Sequence, residues 1–265
     1  MGTVSKALEL LDLFRRDRPQ IGLSDLARLS GVNKATCFRL MTELQTYGLI
    51  EQIGAAREYR IGPAVLRLAA LREEVAPFKS VVVPILTALA ESTGESTHVS
   101  VLAGDRVELV HFVYSTQHGT RVMMHDADHL PFHASSSGLA ILAHAPEALR
   151  ERILARKLPK FTPQTQTDPA IIRARLDEIR RSGIAESAGS FEEDVHSVAV
   201  PLFNARSTCM GAVAVAAPSA RMSDALRARI KAEIITAALQ IMQLRGGIPP
   251  EGFALGAPPS IPSPP

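Results

Sequence analysis

Between Ser24 and Gly48 the chain lays down a short amphipathic stretch, a glycine corner and a longer amphipathic stretch, an order that few folds accommodate. Ser24 is a candidate N-cap for a helix over residues 25–29, with Leu26, Ala27 and Leu29 as its inner face. Gly31 follows as the corner. Asn33 can cap a further helix reaching about Tyr47, in which Cys37, Leu40, Met41 and Leu44 repeat at i, i+3, i+4 and i+7. Upstream, Val4, Ala7, Leu8, Leu11 and Phe14 recur at helical spacing before Pro19. Downstream, residues 49–53 and 58–61 read as two strands joined across 54–57, a β-hairpin. Three helices with a tight turn before the last, then a hairpin, predict a winged helix-turn-helix.

With the apolar stripe of the third helix turned inward, helical geometry leaves Ala35, Arg39, Thr42 and Thr46 outside, flanked by Thr36 and Phe38. A major groove admits one helix. Arg39 can donate two hydrogen bonds to a guanine, and Ala35 or Thr36 can touch a thymine methyl. Lys34, the helix N-terminus and Arg57 in the hairpin turn are placed for phosphates, which supply affinity without sequence information. The expected partner is therefore double-stranded DNA. Charge points the same way: residues 1–72 hold 11 Lys and Arg against 7 Asp and Glu, while the remainder holds 18 against 20. A plain three-helix domain with a solvated outer face would be equally amphipathic; the ordered hairpin favours the DNA reader.

The pattern divides the chain into a winged helix-turn-helix over 1–62, a linker helix over 63–76, a second domain over 77–247 and a flexible tail over 248–265. In the second domain a helix over 78–93 carries Pro84, and strands are expected at 97–103, 106–114 and 120–124, the first pair turning at Gly104-Asp105. Helices are expected near 137–144, 146–156 and 169–182, strands at 195–203 and 209–217, and a last helix from the Ser223 cap to Arg245. Helices flanking a mainly antiparallel sheet make an α+β fold. No run of about 18 apolar residues occurs and the N-terminus lacks a signal-peptide layout, so neither a membrane partner nor export is expected, and the location is read as cytoplasmic. Cys37 and Cys209 sit in apolar runs without metal-site spacing and read as buried hydrophobes. Nothing calls for a cofactor.

These residues resemble the IclR family of bacterial regulators over nearly the whole chain to about Arg245. The segments VSKALELLDLF, LSDLARLSGVNKATCFRLMTELQTYGLIEQ and REYRIG are similar to that family's winged helix, Thr36, Arg39 and Leu40 included. LPFHASSSGLAILA resembles the family's run that opens a helix beside the ligand, and GIAESAGSFEEDVHSVAVPLFN with GAVAVAAP its closing strand pair. The resemblance implies a GAF-like effector-binding domain that takes a small organic, often carboxylate-bearing, molecule and forms homodimers or homotetramers. Ser135, Ser136, Ser137 and Gly138 at a helix start would offer backbone N–H groups and a positive dipole end to a carboxylate. The resemblance adds Glu192 or Glu193, Ser197, Ala214 and Ala216. The alanines stand where some members carry serine, which points to a partly apolar effector.

Three other readings compete. His125, His129 and His133, with Asp126 and Asp128 between them, have the residue types of a metal site and suggest a metal-responsive regulator, although they lack a known ligand spacing and no bound metal is expected. Ser135, Ser136 and Ser137 near His133, with Glu192, have the types of a hydrolase triad, but no G-x-S-x-G elbow is present and enzymatic activity is not expected. The third is a constitutive DNA-binding protein whose larger domain only dimerises.

Overall fold

The computed structural model describes residues 2–15, 18–75, 77–123 and 129–253. The chain divides into two compact units, Met1–Pro77 and Phe78–Pro265.

In the first unit, α1 (Thr3–Asp12), α2 (Leu23–Ser30) and α3 (Lys34–Thr46) enclose a core of Leu10, Leu26, Cys37, Leu40, Met41 and Leu44. Ile50 and Tyr59 of the hairpin β1 (Ile50–Ile53) and β2 (Glu58–Ile61) close it from below. α4 (Ala64–Val75) ends the unit. Gly31 caps α2 in the left-handed region at φ +68°, where a side chain would be strained. Asn33 caps α3, its Oδ1 accepting from the Ala35 N–H at 2.8 Å. α2 departs from expectation, because Gly22 rather than Ser24 is its N-cap. Ile21 exchanges backbone hydrogen bonds with Tyr59, and the helix begins as soon as the chain leaves that bridge. Ser24 then lies inside the first turn.

The second unit is built on six strands in the order β5-β4-β3-β8-β7-β6, with every adjacent pair antiparallel. They are β3 (Ser96–Ala103), β4 (Arg106–Val113), β5 (His129–Leu130), β6 (Ala185–Ala188), β7 (Val195–Phe203) and β8 (Cys209–Pro218). Side chains alternate between faces. Val99, Val213, Val215, Val198 and Val200 share the face covered by α5 (Phe78–Thr93) and α9 (Asp224–Leu244). Thr97, on that face, donates its hydroxyl to the Leu86 carbonyl of α5 at 2.9 Å. The opposite face carries small or polar residues in register rows, His98–Ala214–Ala199 and Ser96–Ala216–Ser197–Ser187. α6 (Ser136–His144) packs there, backed by α8 (Pro169–Ser182) and α7 (Glu147–Leu154).

Three details differ from the sequence reading. Residues 120–123 form no strand; the edge is the short β5 instead, and residue 124 lies outside the described residues. The Val122 carbonyl accepts from Ser96 Oγ at 2.9 Å and its side chain packs on Ala216, so the segment crosses the face of the sheet rather than extending it. β6, made of Ala-Glu-Ser-Ala, has little strand propensity and exists through its pairing with β7. Finally, residues 248–253 of the expected tail find something to bury: the Ile248 N–H donates to Asn204 O, and the Phe253 ring stands edge-on to Phe203 and His144, while residues 254–265 lie outside the described residues.

Candidate nucleic-acid interface and ligand cavity

On α3 the inward stripe Cys37, Leu40, Met41 and Leu44 is buried, and Lys34, Ala35, Phe38, Arg39, Thr42 and Thr46 are exposed with Thr36 half-buried. Arg39 has no hydrogen bond or ion pair among the described residues, so all its donors remain available. Phe38 is 49% exposed, an apolar ring beside a free guanidinium. Thr42 donates to the Phe38 carbonyl and Thr46 to the Thr42 carbonyl, which ties both hydroxyl protons to the helix and leaves each oxygen able to accept. Lys34 Nζ donates to Ser24 Oγ at 2.9 Å, holding one cation at the start of α2. Arg57, at φ +54° in the hairpin turn, is exposed; its carbonyl accepts from Gln52 Nε2 at 2.8 Å.

In the second unit a cavity of about 440 Å³, part of it open to solvent, lies between the N-terminus of α6 and the small-residue face of the sheet. Of the residues expected there, Ser135, Ser136, Ser137, Glu192, Ser197 and Ala216 line it. Ala214 and Gly138 do not. Ala214 sits one row along, between His98 and Ala199, fully buried. Gly138 acts through space: a Cβ there would stand 2.2 Å from Pro131 O and 2.6 Å from Phe132 Cα. Its N–H is taken by Ser135 Oγ at 3.0 Å. The N–H groups of Ser136 and Ser137 have no acceptor among the described residues and are the free donors of the helix end. Glu192 is exposed on the cavity's rim, while Glu193 does not line it.

The sequence reading missed His98, Ser187 and the apolar wall of Val122, Leu130, Phe191 and Val195. His98 is fully buried on β3 with Nε2 3.1 Å from Ser137 Oγ, and burial pushes its pKa down to about 4, leaving a neutral ring at pH 7. Ser187 donates to the Ala134 carbonyl at 2.5 Å and ties β6 to the turn before α6. The alternation Ser96, His98, Ser100, set against Thr97, Val99 and Val101 on the other face, was the available signal, since it puts three polar groups on one face.

Of the histidine cluster, His125 lies outside the described residues, as do Asp126 and Asp128. His129 is exposed on β5 with Nε2 3.4 Å from Arg106 Nη1. His133 is committed elsewhere, its Nε2 2.8 Å from Pro159 O, and burial lowers its pKa. Among the described residues no group of three His, Cys, Asp or Glu is arranged to hold a metal, and no helix is long and apolar enough to cross a membrane.

A glycine-cornered helix pair with an exposed reading face, followed by a hairpin wing, defines the class: a winged helix-turn-helix DNA-binding regulator. The family models agree. Residues 3–54 match the IclR helix-turn-helix domain and residues 74–243 the C-terminal domain of bacterial transcriptional regulator IclR. An IclR transcriptional regulator from Silicibacter sp. TM1040 is 50% identical, with TM-score 0.88 over 96% of this chain and 99% of its own. The HTH-type transcriptional regulator XynR of Escherichia coli K12 is 27% identical over 253 residues, 92% of this chain and 97% of that protein. An IclR homologue from Microbacterium hydrocarbonoxydans, solved with 4-hydroxybenzoate bound, shares the fold at 24% identity and TM-score 0.54, over 91% of this chain and 100% of its own. The chain belongs to the IclR family, whose members are DNA-binding transcriptional regulators and not enzymes.

Proposed function

We propose that this regulator reads one operator with α3 and is controlled by a small, partly apolar organic acid held in the cavity of its second unit. The observation that carries the DNA reading is the exposed outer face of α3, with Arg39 free of any partner among the described residues. Arg39 pairs with guanine; Ala35, Thr36, Phe38 and Thr42 meet neighbouring base edges; Lys34 and Arg57 meet phosphates. For the effector, a carboxylate is seated on the free N–H groups of Ser136 and Ser137 beside the hydroxyl of Ser135. Its body lies against Val122, Leu130, Phe191, Val195 and Ala216, with Ser197 and Glu192 completing the wall. The 4-hydroxybenzoate bound by the Microbacterium homologue is a molecule of this kind. The protein acts in the cytoplasm as a homodimer or homotetramer, which places two reading helices on half-sites a helical turn or a multiple apart. α4 in the linker segment 63–76 carries the effector's influence to the winged helices, and the effector binds the DNA-competent and incompetent arrangements with different affinity.

The test is a gel-shift titration of the wild-type chain and Arg39→Ala against the promoter region of its own gene, with unrelated DNA as competitor. Loss of a bidentate guanine contact weakens specific binding by about 1–3 kcal/mol, roughly 5- to 150-fold, and leaves non-specific binding nearly unchanged. Undiminished specific binding by Arg39→Ala removes it from the reading set.

A further inference from the structure

From Thr116 to Met123 every residue is exposed except Val122, which is buried and forms one wall of the cavity. A segment that solvated needs fasteners to keep a single valine in place. Gln117 Nε2 donates to the Glu91 carbonyl of α5 at 2.5 Å and holds the start of the segment; two further fasteners from elsewhere in the second unit act at Thr120 and Val122 themselves. Ser96 Oγ, on β3, donates to the Val122 carbonyl at 2.9 Å in a buried site. Arg221, just before α9, spans the other gap: its Nε and Nη2 reach the two carboxylate oxygens of Glu95 at 2.5 and 2.7 Å, and Nη2 also donates to the Thr120 carbonyl at 3.1 Å. Glu95 is only 1% exposed, so the guanidinium is held in a fixed orientation by a buried, bidentate partner before it meets the segment. Arg121, over the Tyr114 ring at 5.1 Å, steadies the residue between the two pinned carbonyls. Pinned this way, Val122 packs on Ala216 with Leu109, Phe112, Tyr114 and Val195 around it.

We propose that Ser96 and Arg221 are positioning residues of the ligand cavity: together they pin the strap 120–123 across the sheet so that Val122 closes one wall and limits the size of what the cavity accepts. Neither Ser96 nor Arg221 itself lines the cavity. The inference rests on reading that cavity as the effector site, but the pinning is testable without any effector.

The experiment is maleimide labelling of full-length Val122→Cys under native conditions, followed by mass spectrometry. Cys37 and Cys209 are both buried, and Cys209, on β8 of the same unit, reports general loosening. In the otherwise unaltered chain the thiol introduced on the strap labels slowly. Adding Ser96→Ala removes one neutral hydrogen bond and speeds labelling about fivefold. Adding Arg221→Gln removes charge-assisted bonds and speeds it tenfold or more, with Cys209 unchanged. Because Arg221→Gln strands a buried carboxylate and can unfold the unit, Arg221→Lys is the companion variant. It keeps an ion pair with Glu95 but lacks the fork that reaches Thr120 as well, and it too speeds labelling of the strap thiol while the melting temperature holds. Equal strap-thiol rates in every variant, or Cys209 labelling that rises in step with the strap thiol, overturns the proposal. A strap that loosens as described in a protein that binds no small acid would instead sink the effector reading and leave the pinning intact.

Discussion

Gly138→Ala tests whether the wall of the cavity at α6 is set by close packing. A methyl at this position would lie 2.2 Å from Pro131 O, 2.6 Å from Phe132 Cα and 2.8 Å from Ser135 Oγ. A relaxed carbon–oxygen approach is about 3.3 Å, so the first turn of α6 must retreat by roughly 1 Å. Alanine gains about 1 kcal/mol of helix propensity over glycine. Against that, overpacking costs about 3 kcal/mol where backbone atoms are the obstacle, and the clash with Ser135 Oγ also strains the cap it makes to the Gly138 N–H. The net loss is about 2 kcal/mol, a fall in melting temperature of about 4–8 °C for a unit of this size. Ser135→Ala sets the scale, since it removes the cap and the bond its hydroxyl donates to the Pro131 carbonyl without adding bulk, and costs about 1–2 kcal/mol. Scanning calorimetry of the full chain, following the transition of the larger unit, reads both. Should Gly138→Ala prove as stable as wild type, or less damaging than Ser135→Ala, the close approach of α6 to the 131–135 turn is wrong.

Acid should weaken the second unit well before its carboxylates protonate. His98 and His144 are held neutral by burial, each with a folded pKa of about 4 against an ordinary 6.5. The unfolded chain therefore binds protons below pH 6.5 that the folded chain refuses until about pH 4. Their contribution is intact above pH 6.5 and declines towards pH 4 by up to roughly 1.4 kcal/mol per pH unit for each residue. Urea midpoints measured between pH 7 and 4.5 should fall, about half as steeply in His98→Asn, and a flat profile refutes the assignment. Among small acids in a thermal-shift screen, aromatic monocarboxylates should stabilise the folded unit, by about 2.7 kcal/mol at a hundred times Kd, and so raise the melting point, and dicarboxylates of similar length should not. Among the described residues no Lys or Arg lines the cavity and Glu192 stands at its rim, so a preference for dicarboxylates would contradict this reading.

The elements that carry strong local signals were legible in the sequence. α3, with a four-residue apolar stripe and an asparagine cap, α8, with Pro169 in its first turn and Gly183 at its end, and β7 all lie where their patterns put them. What failed was non-local. The 120–124 stretch looks like a strand because Val122 and Met123 are apolar, yet its described residues 120–123 cross the sheet, with the Val122 and Thr120 carbonyls bonded to Ser96 and Arg221, 26 and 101 residues away. β6 is invisible locally because only β7 makes it a strand. The cavity was half legible: a serine-rich helix start announces its donors, but the apolar wall is gathered from the strap, β5, the 189–194 turn and β7, and no window of sequence holds them together.

A cavity exists here for a reason that the two faces of the sheet make plain. Towards α5 and α9 the strands present valines, whose bulk fills the space against two long helices and leaves a continuous core. Towards α6 the same strands present alanine and serine, and Ala199, Ala212 and Ala214 are completely buried because α6 packs onto β7 and β8 there. The next row, Ala216, Ser197 and Ser187, is just as small, but α6 begins at Ser136 and does not continue over it. Side chains too short to fill the gap, with no helix to close it, leave a hollow whose far wall must come from another segment. That wall is made by Val122, Leu130, Phe191 and Val195. The unsatisfied N–H groups of the helix end therefore face a space walled in part by apolar residues and, among the described residues, lined by no Lys or Arg, so the effector proposed above, an anionic head with an apolar body, would be better matched there than a small, fully polar molecule.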